Sequence, residues 1–251
     1  GLYYGTEYTE EMINAALRSE DPLQIVPSVD TDGHGTFVAS AAAGGAEVGK
    51  RFLGAAPEAS IAMVKLKPAK NYLKEFFAIA QDAVCYQEND IMLGLRYLND
   101  LARKQGMPLV ICVALGTSFG GHNGDSLLAD ILDIYATVRN RCVVVGTGNE
   151  AARRHHYFNR FTDAQDMRTA EIRVGEGTQS FAVELWSTLP NIVMVSVTSP
   201  SGERTGMIPI RLGYLFDFSF TFERTTITVE YRLLQRNNDA QLVFIRFQNA
   251  V

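Results

Sequence analysis

The chain has 251 residues, 47% of them hydrophobic and 20% charged, and carries a formal net charge of -5. That balance supplies apolar material for one large core or two smaller ones and excludes a disordered chain. It also argues against a phosphate-neutralising surface, so no nucleic acid is expected as a partner.

In chain order, the first element expected is a helix that starts at His34, where the small-residue run behind the histidine allows close packing against a sheet. From Pro57 to Gly148, short apolar runs alternate with helix-period segments, the signature of an α/β domain with a parallel sheet. Ala59–Leu66, Leu109–Leu115 and Cys142–Gly146 are the expected strands, the last two apolar enough to be covered on both faces. Asp90 is the expected cap of a helix striped by Leu95, Leu98, Leu101 and Ala102 and closed by Gly106 and Pro108. A second helix is expected from Ser126, with Leu128, Ile131, Leu132 and Tyr135 at helical spacing.

After about Asp166 the period changes to two. QSFAVELW, NIVMVSVT, FDFSFTF, TTITVEYRL and AQLVFIRF are rich in β-branched and aromatic residues, with turns expected at Gly175–Gly177, Ser199–Gly202 and Asn237–Asp239. An antiparallel β-sandwich or jelly roll over residues 166–251 is therefore expected to follow a partial α/β domain over 1–160. Trp186 and Phe216, Phe218, Phe220 and Phe222 are expected in its core, since alternate strand positions face one side.

Cys85, Cys112 and Cys142 are odd in number and lack a metal-like spacing, so they are expected to be buried free thiols. No run of acidic residues has the spacing of a calcium loop; no metal and no cofactor are expected. His122, His155 and His156 read as solvated loop residues. No apolar run approaches the ~18–20 residues that span a bilayer, and no signal-peptide pattern opens the chain. Both ends read as cut, from GLYYGTEYT without a methionine to Val251 straight after a strand-like run.

The chemistry concentrates at Asp32-Gly33-His34-Gly35-Thr36. A histidine flanked by glycines leaves room for a substrate or another backbone, and an imidazole with an ordinary pKa of about 6.5 can take a proton from a hydroxyl and return it to an amine. GHGTFVAS resembles the histidine motif of the subtilisin family, with Phe37 where the commonest form has a second histidine. The resemblance continues in order: Gly54-Ala55-Ala56-Pro57 is similar to the family's GVAP segment, Ala114-Leu115-Gly116 to its SLG strand end, and Val143–Glu150 to VVVAAGNE.

The resemblance implies that His34 is the general base and acid of a serine endopeptidase and that Asn149 donates to the oxyanion. It also implies that Ala114, Leu115 and Gly116, with Gly146, Thr147 and Gly148, line the groove for a protein or peptide substrate. In subtilisin itself one oxyanion donor is worth about 3 kcal/mol. The family's triad runs Asp, His, Ser along the chain, yet no DTG-type aspartate precedes His34 and no GTSxAxP serine follows Asn149. Gly116-Thr117-Ser118 imitates that serine motif, but it lies at a strand end before the asparagine and reads as a groove loop. Asp30 and Asp32 read as turn-forming carboxylates.

A jelly-roll insertion between asparagine and serine resembles the subgroup of clostridial Csp germination proteases, as does the opening GLYYGTEYTEEMINAAL. That likeness implies an internal section of a bacterial, secreted or spore- or cell-surface peptidase, inactive alone, whose partner is the remainder of its own catalytic domain. Two other readings fit the same residues: a pseudoprotease that binds a protein through the groove, and a carbohydrate- or protein-binding β-module with an exposed aromatic patch.

Overall fold

A computed structural model describes residues 4–45, 52–234 and 239–249. Most of the turn expected at 237–239 lies outside them. The chain divides into two compact units, residues 1–65 and 66–251.

In the first unit, helix α1 spans Glu10–Arg18. Thr9 caps it by accepting from the Met12 amide, and Glu10 and Glu11 occupy the first turn, where the helix dipole favours negative charge. Helix α2 spans His34–Ala43. Its small residues admit backbone, though not that of a sheet: the amides of Gly54, Ala55 and Ala56 donate to the carbonyls of Gly44, Ala41 and Ala42. These bonds satisfy carbonyls that a helix end leaves orphaned. A Cβ on Gly54 would stand 2.4 Å from the Gly44 nitrogen, so only glycine fits there. The strand expected at Ala59–Leu66 does not form, and Ile61 and Met63 are exposed. A strand exists only through a ladder partner, and among the described residues this segment has none.

The second unit opens with a short helix, α3 (Asn71–Phe76), and a long one, α4 (Glu88–Gln105). Gln87, not Asp90, stands at the N-cap of α4; Asp90 sits in the first turn, accepting 3.0 Å from the Gln87 amide side chain. Gly106 ends the helix with φ 66°, a left-handed conformation that favours glycine. Strand β1 (Leu109–Val113), helix α5 (Leu127–Thr137, capped by Ser126) and strand β2 (Arg141–Val145) complete a right-order β–α–β unit. The two strands pair in parallel, Leu109 opposite Arg141 through Val113 opposite Val145.

Only one face of this pair is covered. Ile111 is buried on the side of α4 and α5, whereas Val110, Cys112, Cys142 and Val144 form the opposite face, with Val110 68% and Val144 50% exposed. The expectation of double coverage thus fails within the described residues. The three thiols are free as expected, but Cys112 and Cys142 are exposed and Cys85 is half-buried, because the apolar runs that hold the first two lie on the bare face.

The four-stranded antiparallel sheet has the order β3–β6–β5–β4, from Ser180–Thr188, Ala240–Asn249, Thr225–Leu234 and Leu215–Phe220. On one face Val229, Tyr231, Val243 and Ile245 are buried together with Ile208. NIVMVSVT supplies no strand, although its period survives: Val193, Val195 and Val197 turn inward while Ile192 and Met194 are exposed. It pairs loosely with 203–208 through Ile208 to Val195, Thr205 to Val197 and Ser199 to Glu203 amide–carbonyl bonds, and so covers the sheet as an irregular arm. Gln241, fully buried, pins the arm: its oxygen accepts from the Val193 amide at 2.7 Å and its nitrogen donates to the Val193 carbonyl at 3.0 Å.

The other face meets α3 and the loop beyond β1, where Phe76 stacks on Phe244 at 5.6 Å and Phe77 packs against Phe119. Phe216, Phe218 and Phe220 turn inward as expected. Phe222 does not: past the end of β4 it is 81% exposed, since alternation ceases where the strand ends.

Candidate functional site

His34 is the first residue of α2, and the loop before it is shaped by one carboxylate. Asp30 accepts from the Asp32 amide (3.1 Å) and Gly33 amide (2.8 Å) with one oxygen, and from the Thr36 amide (3.0 Å) and hydroxyl (2.6 Å) with the other. Asp32 in turn accepts from the His34 amide at 3.2 Å. These donors, the Thr36 hydroxyl foremost, hold the Asp30 carboxyl well below the usual aspartate range. Asp30 and Asp32 are therefore turn-forming carboxylates, as expected. Gly33, at φ 89°, lets the chain reverse into the helix, and His34 stands exposed at its start. Among the described residues no carboxylate is bonded to the His34 ring.

The remaining site residues lie in the second unit, at the carboxyl edge of the parallel pair. Ala114, Leu115 and Gly116 leave β1, while Gly146, Thr147, Gly148 and Asn149 leave β2. The register brings the two exits side by side: the Gly146 amide donates to the Val113 carbonyl at 3.1 Å, and a Cβ on Gly116 would lie 4.0 Å from the Gly148 Cα. Gly148 adopts φ 84°, and the exposed Asn149 follows it directly. Ligands of open α/β sheets bind beyond the carboxyl ends of strands, which is where both exits fall.

Beyond Gly116 the chain forms a loop and no helix begins before α5, so Thr117 and Ser118 are loop residues. Residues 117–126 enclose a shallow pocket of about 200 Å³. The loop touches the segment after Asn149, His122 lying 5.0 Å from His156 between ring centroids. Glu150 beside Asn149 bonds Arg153 and the His155 ring, each at 3.3 Å. The histidines expected in solvated loops are exposed, but two of them pack on one another. Among the described residues no three His, Cys, Asp or Glu side chains gather to hold a metal, and no helix is long and apolar enough to cross a membrane.

One further residue in this region was not visible as a site residue in the sequence. Glu184, on β3, reaches the loop and accepts from the Gly120 amide at 2.7 Å and the Trp186 indole at 2.9 Å. Its only signal is a carboxylate within the otherwise apolar run Phe181–Trp186.

An exposed histidine at a helix start, and two glycine-lined strand exits of which the second leads to an asparagine, are the features on which the resemblance rests. The chain is a member of the subtilase family, whose model matches residues 7–205. Among solved structures it is similar to the CspB protease of Clostridium perfringens, with 28% identity and a TM-score of 0.81 over 98% of this chain and 50% of that one. The chain thus spans about half the length of that relative. No curated protein matches it.

Proposed function

We propose that the gene product containing this chain is a subtilisin-type serine endopeptidase, with His34 as general base and acid and Asn149 as the oxyanion donor. The observation that carries this reading is the juxtaposition of the Gly116 and Gly148 strand exits beside Asn149. An extended peptide would lie between the two exits, Ala114–Gly116 on one side and Gly146–Gly148 on the other. A serine outside residues 1–251 attacks the scissile carbonyl, and its proton passes to the His34 imidazole. The negative charge on the carbonyl oxygen is met by the Asn149 amide. Collapse breaks the C–N bond as His34 gives the proton to the leaving amine, and water then hydrolyses the acyl-enzyme in the same way. With neither the attacking serine nor the aspartate that orients the histidine, residues 1–251 are inactive alone.

The similarity to a CspB protease supports placing residues 1–160 in the catalytic domain and 166–251 in a jelly-roll insertion. The arm folded over one sheet face is in keeping with a two-layered β-domain. The test is to sequence the gene in both directions from this segment. A DTG-type aspartate upstream and a GTSxAxP serine downstream are expected. Continuous coding sequence lacking either would overturn the peptidase and leave a protein that binds partners through its groove.

A further inference from the structure

We propose that Glu184 is a positioning residue for the peptide groove, so that the antiparallel sheet governs how tightly an extended peptide is held. The proposal rests on the peptidase reading for the identity of the groove, but its geometry is independent of the triad. The loop after Gly116 has little structure of its own, its internal bonds being short-range ones such as the Phe119 amide to the Thr117 hydroxyl at 3.1 Å. What fixes it comes from the sheet. Glu184 accepts from the Gly120 amide, and the Trp186 indole donates to the same carboxylate oxygen, so one half-buried side chain joins the strand to the loop backbone.

The surroundings leave the loop few alternatives. The Trp186 ring lies against Gly121, where an added Cβ would come within 3.4 Å of it. Phe119 packs on Phe77, and Phe77 on Phe244, the residue opposite Glu184 in the register. Gly120 itself adopts φ 110°, which other residues rarely hold, and this conformation aims its amide at Glu184. The loop then continues to His122 and its contact with His156, seven residues beyond Asn149. The loop that Glu184 holds thus follows one wall of the groove directly and touches the segment that follows the other.

The experiment uses the whole gene product and fluorescein-labelled casein, read both by binding anisotropy and by hydrolysis. Glu184→Ala is expected to weaken binding and raise KM by about tenfold, with kcat within about twofold, as loss of a hydrogen bond to a charged group implies. Glu184→Gln, which keeps an acceptor oxygen, should restore most of the loss. Trp186→Phe, which leaves the Gly120 bond in place, should change KM less than Glu184→Ala. Amide exchange at Gly120 should quicken in the Ala variant alone, and in the unaltered protein it should be slow; fast exchange there overturns the proposal even if Glu184→Ala does not fold. Unchanged binding in a folded Glu184→Ala variant also overturns it. Casein that is bound but not cut by the unaltered protein defeats the peptidase reading only, and the binding comparison among variants still decides the role of Glu184.

Discussion

The two sheets of residues 66–251 are built on opposite terms. The antiparallel sheet is covered on both faces, by the 193–210 arm on one and by α3 and the loop beyond β1 on the other. The parallel pair is covered on one face and bare on the other, yet it carries the strand exits of the site. The more deeply buried sheet and the sheet that carries the candidate site are therefore different, and the former reaches across through Glu184 to the loop of the other.

The largest effect that sharpens this contrast is expected at Ile208, a fully buried residue of the arm. Ile208→Ala should cost about 2–5 kcal/mol in denaturant unfolding, the range for a large-to-small change in a packed core. Gln241→Leu comes next, at about 2 kcal/mol, because it strands the half-buried amide and carbonyl of Val193. On the bare face Val144→Ala should change stability by no more than about 0.5 kcal/mol. Cys112 and Cys142 should react with a thiol reagent faster than Cys85. A core-sized cost at Val144, or slow labelling of both thiols, would break the comparison by showing that something covers that face.

The smallest effect concerns the His34 loop. The Asp30 carboxyl is held below its ordinary range by its donors, so its contribution to the loop is full above the unfolded aspartate pKa, about 3.9, and is lost as pH falls below it. NMR shifts of the Gly33 and Thr36 amides should move in that acid range in the unaltered chain and stay flat in Asp30→Asn. Identical titrations in the two proteins would remove Asp30 from the account.

Much of this was legible in the sequence, for reasons that particular residues make plain. Local chemistry wrote its own signals: Ser126 as the start of a helix, Gly106 as a stop, the glycines around His34 and after β2, and the period-two runs that became β3 to β6. What depended on partners was not readable. Ala59–Leu66 has strand composition but no ladder among the described residues, and NIVMVSVT keeps its inward valines while forming an arm. Cys112 and Cys142 sit in runs that look buried, because sequence reports how apolar a strand is and not whether both faces are met. Glu184 was hidden for the same reason, its role resting on Gly120, which lies in a distant part of the chain.

The central claim is most directly tested by casein hydrolysis with the whole gene product and its His34→Ala and Asn149→Ala variants. kcat is expected to fall about a millionfold for His34→Ala, the size of that loss in subtilisin, and about 100- to 1,000-fold for Asn149→Ala, with both proteins folded. Hydrolysis that persists at the unaltered rate in His34→Ala would contradict it.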